Sequence, residues 1–134
     1  SASFLEAFAR VGLIPDAGGT WMLPRMVGLP RAMGMSLFAE PIPAGRAADW
    51  GLIWEVVEDD QLSQRAAELA LRLAGGPTAA YRLMKQALRA STDNSLEAQL
   101  SLEAQLQGEA GRTRDFQEGV MAFLEKREAR FEGR

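Results

Sequence analysis

One segment limits what this 134-residue chain can build. Residues 52–58, LIWEVVE, alternate β-branched and aromatic side chains with polar ones and carry its only convincing strand signal. A strand presents a row of N–H and C=O groups that need partners. The sequence offers it none beyond a short extended stretch near Ser3–Phe4. The strand is therefore expected to pair outside these residues, with a missing segment or another subunit.

Most of the remainder reads as helix. A helical turn is expected through Phe8, and Pro15 turns the chain. A short helix or turn over 17–23 would be ended or restarted by Pro24. Helices over 31–39 and from Pro43 to Gly51 follow. Asp60 is placed to cap a helix with the stripe Leu62, Ala66, Leu69, Ala70 and Leu73, stopped by Gly75 and Gly76. Pro77 opens the next, with Ala80, Leu83, Met84, Ala87 and Leu88 on one face. Residues 95–106, SLEAQLSLEAQL, write one hexad twice. At ~100° per residue, Leu96, Leu100, Leu102 and Leu106 fall within an arc of about 160°, a broad apolar face. The last helix is expected from Thr113, with Phe116, Val120, Phe123, Leu124, Arg127 and Phe131 on one side. Lys126, Arg127 and Arg130 crowd its C-terminal end, where cations are favoured.

Composition narrows the chemistry. The chain is 47% hydrophobic and 25% charged, with net charge −3. That balance speaks against nucleic-acid binding, which needs clustered Lys and Arg. It contains no cysteine and no histidine. Disulfides and thiolate chemistry are excluded, and the usual zinc ligands and the commonest general base are missing, so no metal is expected. Proton transfer would fall to Asp, Glu, Lys or Tyr; the last two types comprise only Lys85, Lys126 and Tyr81. No signal peptide and no apolar run of ~18 residues is found, so no membrane partner is expected and the cytoplasm is the default location. The chain opens without methionine, already in an apolar register, and reads like the middle of a domain.

Against that background, GLIPDAGGTWMLPR (residues 12–25) places a carboxylate, Asp16, before a glycine pair. Aspartate is a favoured helix N-cap, and from spacing alone capping outranks catalysis. Gly18 and Gly19 could cradle an anion at a helix start. They match neither the dinucleotide fingerprint nor the P-loop, and close packing of backbone against a neighbour or a ligand is the plainer reading.

Three stretches together resemble the enoyl-CoA hydratase/isomerase (crotonase) superfamily: FxxAFxxVGLIPDAGGTWMLPRMVG at 4–28, AADWGLIWEVV at 47–57 and EGVMAFLEKREARF at 118–131. They occur in the family's order and span essentially the whole chain. The resemblance implies an α/β crotonase (ClpP/crotonase-like spiral) fold in a protein about twice this length. This chain would be its mostly α-helical C-terminal half, with one or two short strands. Residues 1–58 would close the spiral core and carry the active-site segment; 59–134 would form the helical trimerisation region. The absent half would hold the oxyanion-hole donors.

The family's chemistry acts on CoA thioesters, so CoA enters as part of the substrate and no separate cofactor is implied. Hydratases carry two glutamates. One would lie in the absent half, and the other aligns with Phe8, which counts against a standard hydratase. Asp16 aligns with the acid of several isomerases and is the implied catalytic residue. The subgroup resembled converts ring-1,2-epoxyphenylacetyl-CoA to the oxepin-CoA and shifts a 3-enoyl double bond to the 2-position. The alternatives are a hydratase, another member such as a thioesterase or dehalogenase-like enzyme, and a helical oligomerisation fragment with no activity of its own. Phe8, Val11 and Leu13 would line the acyl pocket, or equally be ordinary core. Lys126 would reach the CoA adenosine-phosphate end from a neighbouring subunit; Phe123 is a weaker candidate for the CoA site and reads first as core. Assembly as a homotrimer or a dimer of trimers is implied.

Overall fold

Two strands of two residues each carry all the sheet there is. β1 (Ser3–Phe4) runs antiparallel to β2 (Ile42–Pro43), with Phe4 opposite Ile42 and Ser3 opposite Pro43. Pro43 has no N–H to donate, so the ladder cannot lengthen through it. The Ala44 N–H instead reaches the Ala2 carbonyl at 3.0 Å. The strand expected at 52–58 does not form: those residues are bends and irregular chain. Leu52 and Ile53 pack on the core, while Trp54 is 87% exposed. Without a partner strand there is no ladder to make it regular.

The computed structural model describes residues 1–134, in two units, Ser1–Ser63 and Gln64–Arg134. The first holds α1 (Gly19–Val27), α2 (Leu29–Phe38) and α3 (Ala44–Asp49), preceded by a 3₁₀ turn at Ala7–Val11. Pro24 neither ends nor restarts α1 but lies inside it. Its ring costs the helix one N–H, yet its carbonyl still accepts from Gly28 at 3.0 Å. Pro30 sits in the first turn of α2, where no N–H is needed. Leu23 and Val27 of α1, Ala32 and Met35 of α2, Ile42 and Ala47 form the core. Asp60 is not a cap. It lies within the 3₁₀ turn Asp59–Gln61, which has no side-chain capping bond.

The second unit begins within α4 (Leu62–Ala74) and continues through α5 (Thr78–Ala90), α6 (Leu96–Ala110) and α7 (Arg114–Glu125). Ser95 caps α6 by accepting the Ala98 N–H at 3.2 Å, and Thr113 caps α7 by accepting from Phe116 at 3.1 Å. No residue of α4 is fully buried, and of its apolar stripe only Leu69 is half-covered within the chain. The expected last helix is too long. It stops at Glu125, and Arg127 and Phe131 lie beyond it. Lys126 takes a left-handed conformation, φ 55°, and the chain turns back. No helix is long and apolar enough to cross a membrane.

Residues 127–134 are tied to the first turns of α7. The Glu118 carboxylate accepts from the Arg127 guanidinium at 2.6 and 3.0 Å and from the Arg130 N–H at 2.8 Å. Asp115, 3% exposed and the only buried charged residue, accepts from the backbone of Glu132 and Gly133. A groove of about 860 Å³ opens between α5, α6 and α7, lined by Leu83, Leu106, Phe116, Val120 and Phe131 among others.

Candidate active site

The segment leading to Asp16 is built by local backbone rules. The 3₁₀ turn Ala7–Val11 ends at Gly12, whose φ of 74° only glycine adopts without strain. The Gly12 N–H then bonds the Ala9 carbonyl at 3.2 Å and the Leu13 N–H bonds Phe8 at 3.0 Å. That pair of bonds is the Schellman arrangement, which satisfies the last carbonyls of a helical turn. It closes Phe8 and Leu13 into one loop. Phe8 is half-buried, while Val11 and Leu13 are 73% and 63% exposed.

Pro15 fixes its own φ and carries the chain to Asp16. A tight turn follows: the Asp16 carbonyl accepts the Gly19 N–H at 2.8 Å, with Ala17 at φ 50° and Gly18 at φ 84°. Gly18, not Asp16, is the N-cap of α1, and that helix has no side-chain cap. Its backbone does the work: the Gly18 carbonyl accepts from Trp21 at 3.0 Å and Met22 at 2.9 Å. The capping expectation for Asp16 is thereby corrected. Two left-handed residues intervene, so its carboxylate is carried away from the free N–H groups. It makes no hydrogen bond or ion pair within the chain.

Asp16 is an exposed, unengaged carboxylate in apolar surroundings. Ile14 on one side is 78% exposed, and Trp21 and Met22 on the other are 47% and 51% exposed. The Arg25 guanidinium stacks over the Trp21 ring at 3.9 Å and donates to the Trp21 carbonyl at 3.0 Å. An unpaired carboxylate beside uncovered apolar side chains is suited to moving a proton on an apolar substrate.

Phe8, Val11, Leu13 and Asp16 thus share one continuous segment of the first unit. Lys126 and Phe123 lie in the second unit. Phe123 is 82% exposed, so it is not core. Lys126 is the turn residue after α7: its N–H bonds Phe123 at 3.3 Å, and the Arg127 N–H bonds Ala122 at 3.0 Å. Here a lysine occupies the position that glycine usually takes. Sequence reasoning missed Arg10, whose guanidinium binds the Ala39 carbonyl. No local pattern announces a contact between residues so far apart. It also missed Asp115 and Glu118, whose partners lie at the end of the chain.

All 134 residues match the Enoyl-CoA hydratase/isomerase family. A Rhodobacter capsulatus protein named "Probable enoyl-CoA hydratase" is 58% identical over the whole chain, which covers 52% of that protein. The Escherichia coli 1,2-epoxyphenylacetyl-CoA isomerase is 48% identical, again over the whole chain and 51% of its own length. Among solved structures, a Bacillus anthracis enoyl-CoA hydratase superposes with a TM-score of 0.94 at 34% identity, across 100% of this chain and 52% of that one. The chain spans about half the length of the curated relatives it matches. Matched from end to end in sequence and in fold, it belongs to the enoyl-CoA hydratase/isomerase (crotonase) family.

Proposed function

We propose that the intact protein is an acyl-CoA isomerase in which Asp16 moves the proton. The observation that carries this reading is the unengaged Asp16 carboxylate, held on a fixed turn among exposed apolar side chains. Acting on a 3-enoyl-CoA, Asp16 takes a proton from the α-carbon. The released electron pair forms the 2,3 double bond, the 3,4 pair moves to the γ-carbon, and Asp16 returns the proton there. Charge gathers on the thioester oxygen meanwhile, and its stabilisation by oriented N–H donors is the larger electrostatic contribution. Those donors are expected from the half of the relatives that this chain does not span. A ring-1,2-epoxyphenylacetyl-CoA is the finer substrate proposal, supported by the 48% identity to the E. coli isomerase. Val11 and Leu13, exposed and next to the Asp16 turn, are proposed to meet the acyl group, with Phe8 behind them. Lys126 and Phe123 are proposed to meet the CoA end. Association into trimers or paired trimers is supported by the uncovered groove of the second unit and by the largely exposed stripe of α4.

Hydration of 2-enoyl-CoA is the second reading, favoured by the Rhodobacter relative's name. Phe8, a side chain that cannot exchange protons, stands against it. The test is Asp16→Asn and Asp16→Ala in the intact protein, assayed for 3-enoyl-CoA isomerisation and 2-enoyl-CoA hydration. Turnover should fall at least ~100-fold in both variants, the scale of a general acid–base group. Because Asp16 caps nothing, both should unfold within about 0.5 kcal/mol of the parent, as surface substitutions do. Normal isomerase turnover in Asp16→Asn sinks the catalytic role; dominant hydration by the parent enzyme sinks the isomerase assignment.

A further inference from the structure

The Arg10 side chain reaches out of the 3₁₀ turn Ala7–Val11 and donates from both Nε (3.1 Å) and Nη2 (2.5 Å) to one oxygen, the Ala39 carbonyl. Ala39 is 2% exposed and ends α2 in a left-handed conformation, φ 50°. Its carbonyl lies past the helix end, where no intrahelical donor exists. Arg10 supplies two donors there, and its charge is favourable at the negative end of the helix. Arg10 has no carboxylate partner: in this structure its hydrogen bonds go to that carbonyl alone.

Five residues separate Arg10 from Asp16, and little between them is free to turn. Leu13 is bonded back to Phe8, Pro15 is fixed at φ, and the Asp16 carbonyl is bonded to Gly19. Pro15 also packs closely on Gly19, its Cβ 3.3 Å from where a side chain there would begin. The segment is an arm with two anchors. One is the start of α1; the other is the Arg10–Ala39 clamp.

Resting on the isomerase reading, we infer that Arg10 is a positioning residue for Asp16, because its clamp on the α2 end fixes the arm that carries the carboxylate. Arg10 makes no hydrogen bond or ion pair with Asp16; its bonds go to the Ala39 carbonyl. Its contribution is geometric, and displacement of a reacting group by about an ångström can lower a rate by ~100-fold.

The experiment compares Arg10→Met, Arg10→Lys and Asp16→Asn in the intact protein. It reads kcat at saturating 3-enoyl-CoA, the pH profile of kcat, and amide hydrogen exchange at Leu13. In Arg10→Met, kcat should fall at least ~10-fold, both limbs of the pH profile should stay in place, and Leu13 should exchange faster. Arg10→Lys, which keeps a cationic donor, should recover most of the loss. Parental kcat in Arg10→Met, with Asp16→Asn inactive, overturns the inference and leaves the isomerase reading intact. A shifted pH limb, or a loss that Lys does not recover, also overturns it. Normal turnover in Asp16→Asn overturns the isomerase reading itself, and the positioning role falls with it. Leu13 exchange then still shows, without any activity, whether the clamp holds the arm.

Discussion

Replacing Asp115 by asparagine tests what holds the last residues of the chain in place. Its carboxylate is buried and its two oxygens are committed separately: Oδ1 accepts the Glu132 N–H at 2.7 Å and Oδ2 the Gly133 N–H at 2.9 Å. Asparagine keeps one acceptor and sets an NH₂ group against the other N–H. One bond becomes a meeting of two donors, and the survivor loses its charge. A hydrogen bond to a charged group contributes about 1.5–3 kcal/mol. A carboxylate in the first turn of a helix adds a further ~0.3–1 kcal/mol. The released segment regains water, which offsets part of the loss, so local opening should become easier by about 2 kcal/mol. At 1.4 kcal/mol per tenfold, that is roughly thirty-fold. The assay is native-state amide exchange at Glu132 and Gly133, with the Ser95-capped amide of Ala98 in the same unit as a control. Glu132 and Gly133 should exchange roughly thirty-fold faster while Ala98 is unchanged. Exchange at both sites within about threefold of the parent would refute the claim that this carboxylate fastens the chain end.

Glu118 should make the same segment sensitive to acid. The Arg127 guanidinium, aided by the Arg130 N–H, holds its carboxyl down to about 2, against 4.5 for a free glutamate. The folded form therefore binds fewer protons than the unfolded one in that interval. The contribution is complete above about 4.5 and is lost as the pH falls towards about 2. Carboxyl carbon shifts followed by NMR should place the Glu118 midpoint well below those of exposed glutamates; a midpoint near 4.5 contradicts the ion pair. Lys126→Gly separates backbone from side chain. A left-handed non-glycine residue costs roughly 1–2 kcal/mol, and the greater freedom of glycine in the unfolded chain returns about 0.4–1 kcal/mol of that. The melting temperature should hold or rise while KM for the acyl-CoA increases several-fold; an unchanged KM removes Lys126 from the CoA site.

Helix starts were legible where a side chain or a proline enforces them. Pro77, Ser95 and Thr113 each stand at the N-cap of the helix expected after them. Features set by distant partners were not legible. The 52–58 run has the residues of a strand, but regular strand needs a ladder, and the only pairing available went to Phe4 and Ile42. The end of α7 is not legible because lysine gives no stop signal, and because Phe131 continues the apolar spacing while belonging to the returning segment. Asp16 is singled out in the sequence by the family motif, and its catalytic role rests on the proposal above. Its freedom from capping was not legible, since that depends on two left-handed residues, one of them an alanine.

Those backbone conformations are informative in themselves. Only three non-glycine residues have positive φ: Ala17, Ala39 and Lys126. Glycine would serve at a turn without steric cost, as it does at Gly12 and Gly18. Each of the three costs about 1 kcal/mol or more where it stands. Ala17 follows the proposed proton carrier, Ala39 offers its carbonyl to Arg10, and Lys126 is the proposed CoA contact. Such outliers concentrate where geometry must be over-determined, and the inference runs from the outlier to the role. At Ala17 the gain is conformational. A glycine there would put Asp16 on a hinge of three consecutive glycines, whereas alanine narrows the turn to fewer conformations. At Ala39 the methyl is buried and fills core that glycine would leave open. At Lys126 no such packing exists, because the residue is exposed. There the unfolded-chain advantage over glycine, about 0.4–1 kcal/mol, offsets only part of the cost, and the ammonium group is the further property glycine could not supply, which is the ground for testing Lys126 as the proposed CoA contact.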